Sequence, residues 1–140
     1  MTKREGGCLC GNVRYKLAAD PITSRICWCR TCQHFSGNGT ANAIFSTQKM
    51  EVTGETSVFS STSDSGNIIN RKFCPNCGSH LFAEASARPG LMVVRVGTLD
   101  DPSSVKPVAN IWVSSAPSWA CFDPALGSFE HQPPPPKSVA

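Results

Sequence analysis

Along residues 11 to 17, GNVRYKL, the apolar Val13, Tyr15 and Leu17 alternate with Arg14 and Lys16. A period of two puts neighbouring side chains on opposite faces of an extended chain, so this segment predicts a half-buried strand. TANAIF (40–45) and MEVTG (50–54) predict two more strands around a turn. From 54 to 69 the chain is polar and turn-rich, which fits a short strand and then a loop. NRKFC (70–74) leads out of that loop. LMVVRVGTL (91–99) is rich in β-branched residues and predicts the firmest strand; PVANIWV (107–113) predicts the last. The best helical segment is a short turn from near Thr31 through Cys32 to Ser36. TLDDPSSV predicts a helical turn or tight loop around Pro102. The chain is therefore mainly β, with connections short enough for antiparallel pairing.

Composition narrows this picture. A length of 140 residues fits one domain, here residues 1–130, followed by the Pro-rich segment HQPPPPKSVA (131–140) as a mobile tail. Apolar residues make up 40% and charged residues 16%, a globular balance that excludes a disordered chain. A loop-rich chain with 11 Gly and 11 Pro gains much from a cross-link or a metal. The net charge of +3 is scattered, with no run of five basic residues, so no nucleic-acid partner is expected. MTKREGGCLC has no apolar leader segment, and no stretch of 18 apolar residues exists. A cytoplasmic location without membrane contact is the expectation, and there thiols stay reduced. Four disulfides are the alternative for an exported chain.

That matters because the chain has eight cysteines, seven of them in three tight clusters. In an extended strand the side chains of Cys8 and Cys10 share a face, roughly 6 to 7 Å apart. In CPNCGS the Cys74-x-x-Cys77 turn brings two sulfurs together, with Pro75 stiffening it and Gly78 free to take a positive φ. Together these four make a closed thiolate set, tetrahedral with zinc at about 2.3 Å per bond. Such a site would contribute folding free energy on the order of ten kcal/mol. Cys27, Cys29 and Cys32 lie within six residues and can reach one zinc, two from a strand face and the third a turn later. Three protein ligands and one exchangeable position make the arrangement of a catalytic zinc. That centre would be net negative, and more so with a substrate thiolate. Arg30, inside the cluster, is the candidate substrate-binding cation, and Arg25 lies just before it.

Other partitions stay open. Cys121, in SWACF, is either a fourth ligand to the triad or a buried bystander. Cys29-x-x-Cys32 and Cys74-x-x-Cys77 could instead form a two-knuckle zinc site, freeing Cys8, Cys10, Cys27 and Cys121 for redox chemistry. The B-type methionine sulfoxide reductases use such a knuckle pair, but no Arg-x-Cys-x-Asn stretch like theirs is present. His34 and His80 closely follow cysteine clusters and are candidates for proton transfer or for contacts to a metal ligand; His131 borders the tail and is read as inert. Trp28, Trp112 and Trp119 could wall a pocket, with Trp112 on its strand read as core.

Taken in order, GGCLCGNVRY, CWCRTCQHFSG, FCPNCGSHLF and VGTLDDPSSVKPVANIWVSSAPSW resemble the glutathione-dependent formaldehyde-activating enzyme family, also called the centromere protein V domain family. The likeness runs from about Gly6 to Trp119. It implies an Mss4-like fold of several coiled antiparallel sheets, stapled by zinc. It implies a structural zinc on Cys8, Cys10, Cys74 and Cys77 and a catalytic one on Cys27, Cys29 and Cys32, two per chain. It also implies a carbon–sulfur lyase whose partners are glutathione and formaldehyde, joined as S-hydroxymethylglutathione. Many members carry His where this chain has Trp28 and Asn110, which bears on the substrate. A non-enzymatic Mss4-like binding module, with both zincs structural, is the rival reading.

Overall fold

The computed structural model describes residues 3–63 and 66–134. The chain runs β1 (Arg4–Gly7), β2 (Arg14–Leu17), β3 (Thr23–Cys27), α1 (Arg30–Ser36), β4 (Thr40–Ser46), β5 (Met50–Thr53), β6 (Ser57–Thr62), β7 (Ile68–Phe73), β8 (His80–Ala85), β9 (Leu91–Arg95), β10 (Ala109–Ile111) and β11 (Gly127–Ser128). Short 3-10 turns lie at Thr47–Lys49, Val96–Thr98, Pro102–Ser104 and Val113–Ser115. The mainly β architecture read from the pattern is the one observed, and the short helix falls where expected. Among the described residues no helix is long and apolar enough to cross a membrane.

The strands form two sheets. A small one has the order β1-β2-β5, and a large one the order β11-β10-β3-β4-β9-β8-β7-β6. The alternation in β2 explains how they meet. Val13, Tyr15 and Leu17 are buried in a core with Phe45, Leu81, Phe82, Met92 and Val94 of the large sheet. The Tyr15 ring stands edge-on to Phe82 at 5.2 Å. On the opposite face Arg14 pairs with Asp100 at 2.6 Å. Gly6 opposes Tyr15 in the small sheet. A Cβ at Gly6 would run into the Thr98 carbonyl and the Tyr15 hydroxyl, so only glycine lets β1 lie this close.

Several expectations are corrected. β4 and β5 follow one another but do not pair; β5 joins β2, with Tyr15 opposite Val52. The 91–99 strand stops at Arg95, because the Thr98 hydroxyl donates to the Arg95 carbonyl at 2.7 Å and closes a turn. The last predicted strand shrinks to Ala109–Ile111, since Trp112 adopts a left-handed conformation with φ 57°. β10 runs parallel to β3, and β11 parallel to β10, against the antiparallel rule that the other pairs obey. A long connection from β3 to β10 makes this possible. Of the expected tail, residues 135–140 lie outside the described ones. Before them, the Trp112 indole N–H donates to the Gln132 side chain at 3.0 Å.

Candidate metal centres

Cys8 and Cys10 sit in the turn between β1 and β2 rather than on a strand. The Gly11 N–H donates to the Cys8 carbonyl at 3.2 Å and folds that turn. Cys74 and Cys77 occupy the turn between β7 and β8, closed by the Gly78 N–H on the Cys74 carbonyl at 2.8 Å, with Gly78 at φ 77°. The sulfurs of these four cysteines all lie within 4.8 Å of one another. Cys8 and Cys10 are 3.6 Å apart, and Cys10 and Cys74 are 3.7 Å apart. A regular tetrahedron with 2.3 Å arms has edges of about 3.8 Å, so the spacing fits a zinc-sized ion. The Ser79 hydroxyl stitches the two turns together: it accepts the Leu9 N–H at 3.1 Å and donates to Cys77 Sγ at 3.2 Å. That bond, with a backbone N–H, holds the Cys77 thiol down at about 5, as a thiolate ligand requires.

The second group is Cys27, Cys29 and Cys32, again within 4.8 Å. Only Cys27 is on a strand, at the end of β3; Cys29 caps α1, and Cys32 sits in its first turn. The Cys32 N–H donates to Cys29 Sγ at 3.3 Å, the bond expected of a helix-capping acceptor. Hydrogen bonds from the Cys27 and Cys32 thiols pull Cys29 far below the usual thiol range, and the same contact pushes Cys27 up. Ile111 and Trp112 pack against the triad. The two clusters keep Cys29 and Cys32 apart from Cys74 and Cys77, so the knuckle-pair partition does not match the fold.

A model of the glutathione-dependent formaldehyde-activating enzyme family matches residues 3–115. The chain belongs to that family. A crystal structure of a Rhodobacter sphaeroides protein shares the fold at a TM-score of 0.56 and 22% identity, covering 74% of this chain and 91% of that one. No curated protein matches the chain.

For a member of this family, the surroundings of the triad carry the most information. Cys121 is exposed and belongs to neither cluster, against the expectation of a buried bystander or a ligand. It lies on a stretch without strand or helix between Ala116 and Leu126, so no element carries it inward. Trp28 is buried and Trp119 exposed, while Trp112, expected in the core, is half-buried where its strand ends. The Trp28 indole N–H donates to Asn110 Oδ1 at 3.4 Å, so the two positions where relatives often have His touch each other. His34 is exposed and donates through Nδ1 to the Arg30 carbonyl at 2.7 Å. The Arg30 guanidinium is also exposed and donates to Gln33 at 2.6 Å.

The charges that act on the triad come from elsewhere. Arg71 of β7 adds to the lowering of Cys29, after the thiol hydrogen bonds; Cys32, against the Cys27 bond, is raised overall by the Cys29 contact and burial, with a smaller opposing pull from Arg95 of β9. Both side chains are buried, 9% and 7% exposed. The sequence reading missed them as site residues. The available signal was a lone charge, Arg95, inside the most apolar strand of the chain. Beside the triad lies a cavity of about 410 Å³ whose lining includes Phe35, Thr40, His80, Arg95 and Thr98. The Thr40 hydroxyl donates to the Cys32 carbonyl at 3.2 Å and ties this wall to the cluster. His80 stacks between Phe35 and Phe73, and burial followed by the nearby arginines lowers its pKa.

Proposed function

We propose that the chain is a zinc enzyme of carbon–sulfur lyase type, joining glutathione or another thiol to an aldehyde such as formaldehyde. The reading rests on one observation: seven cysteine sulfurs gather as a group of four and a group of three. Four sulfurs complete a tetrahedron, and three leave one corner for a substrate. Cys8, Cys10, Cys74 and Cys77 would hold the structural ion, and Cys27, Cys29 and Cys32 the catalytic one. Zinc in the second group would supply a Lewis acid that keeps a substrate thiol in its nucleophilic, deprotonated form. The rest falls to the chain. The thiol sulfur forms the new bond to the carbonyl carbon as the C=O π pair moves onto oxygen, which takes up the equivalent of the proton the thiol gave up. Arg71 and Arg95 offset the negative charge gathered on the triad. Arg30, exposed at the start of α1, is proposed as a rim contact for an anionic substrate. The reaction needs reduced thiols, hence a reducing compartment such as the cytoplasm. A module with two structural zincs would need an eighth ligand, and Cys121 stands outside both groups.

The test is the rate of glutathione–formaldehyde adduct formation against a protein-free control. Saturable acceleration is expected, abolished in Cys29→Ser while the variant stays folded. A wild-type rate equal to the control would sink the proposal.

A further inference from the structure

We infer that the cavity beside the triad is a carboxylate site, in which Arg95 holds an acid group of the substrate next to Cys27, Cys29 and Cys32. The substrate's identity here rests on the thiol–aldehyde reading above; the anion contact does not.

Arg95 is 7% exposed. Guanidinium groups are seldom buried without a carboxylate partner, because the lost hydration must be replaced. Among the described residues, the side-chain ion pairs are Arg4–Asp20, Arg14–Asp100 and Lys72–Glu84, and none involves Arg95. Its Nη1 donates to Asn42 Oδ1 at 2.6 Å, which fixes the group but engages only part of its five-donor fork. Arg71, 9% exposed, donates to the Ser61 hydroxyl at 2.8 Å and lies over the Phe35 ring at 5.5 Å. It too has no carboxylate partner among the described residues.

His80 lines the same cavity, and its Nδ1 is buried without a hydrogen-bond partner among the described residues. A buried polar atom without a partner is uncommon enough to need a reason. A guanidinium fork suits the two oxygens of a carboxylate, and the His80 ring lines the same cavity. Size agrees. A water-sized molecule takes about 30 Å³, so a cavity of about 410 Å³ far exceeds what a one-carbon aldehyde fills. Phe35 supplies an apolar side for the carbon skeleton. The acid group could belong to the thiol substrate or to an aldehyde that is itself an oxo acid.

Titration calorimetry on the zinc-loaded, full-length chain separates these sources. S-methylglutathione presents the thiol substrate's carboxylates without a free thiol. Oxamate mimics a small oxo acid. At least one of them is expected to bind, with affinity lowered about tenfold or more in Arg95→Gln and partly restored in Arg95→Lys, at unchanged zinc content. Which ligand binds names the source. The dimethyl ester of S-methylglutathione and oxamide, uncharged counterparts, are expected to bind far more weakly to the wild type. Binding of neither acid, equal binding of acid and uncharged form, or full affinity in Arg95→Gln would each overturn the inference. The comparison of acid with uncharged form needs no variant, so it decides even if Arg95→Gln fails to fold. Charge-dependent binding without turnover would leave this site standing and sink the proposed enzyme. Turnover without charge-dependent binding would do the reverse.

Discussion

Asn110 is 1% exposed, yet only half of its amide is engaged among the described residues. Its Oδ1 accepts the Trp28 indole at 3.4 Å, while Nδ2 is buried without a partner. Replacing it with Ala strands the indole N–H and leaves a gap beside the triad. A loss of about 1 to 3 kcal/mol is expected, read by denaturant unfolding. Combining it with Trp28→Phe tests whether the two positions act as one unit. A coupling of about 0.5 kcal/mol or more is expected, and strict additivity would show the contact to be incidental. Cys121 behaves differently. Being exposed and outside both clusters, it is expected to tolerate Ala with zinc content unchanged and stability within about 0.5 kcal/mol of the parent. Loss of one zinc in that variant would return it to the ligand set.

At the level of elements, what the chain revealed depended on how each strand is buried. β2 has one wet face, so its alternation was plain. β8 buries Leu81, Phe82 and Ala83 in succession, so no period of two survives and the strand was not foreseen. β3 has only scattered buried positions and was missed as well. The cysteine groups were legible because metal ligands cluster within turns. Arg71 and Arg95 were not, because β7 and β9 come together only through pairing with β8. The buried side of β2 also sets a pH dependence. Burial raises the Tyr15 phenol from 10.0 to about 12, against a bond to Thr98 that works the other way. Between those values the unfolded chain loses the proton and the folded chain keeps it. Stability is therefore complete below pH 10 and falls as pH rises from 10 to about 12. Tyr15→Phe should flatten that slope in thermal unfolding scans. An unchanged slope would show that Tyr15 does not titrate on unfolding.

Across the whole molecule, the two cysteine groups span different lengths of chain. Cys8 and Cys10 gather with Cys74 and Cys77, so one ion there would tie the turn under the small sheet to the β7–β8 turn of the large one. The triad joins residues 27 to 32, already held by one strand end and one helix cap. A cross-link between distant segments removes more freedom from the unfolded chain than a local one. A structural zinc contributes on the order of ten kcal/mol, comparable with the roughly 5 to 15 kcal/mol that a domain has in total. Loss of the four-thiolate ion should therefore unfold the protein, whereas loss of the triad ion should leave it folded. Elemental analysis is expected to give two zincs per wild-type chain, one for each cysteine group. Cys29→Ser should retain one zinc, keep a cooperative thermal transition near that of the parent, and lose turnover. Cys74→Ser should lose the transition as well as its zinc. If Cys29→Ser unfolded and Cys74→Ser did not, the structural and catalytic assignments would have to be exchanged. If the wild type held one zinc that Cys29→Ser left in place, the triad would be three thiols rather than a metal centre, and the proposed chemistry would lose its site.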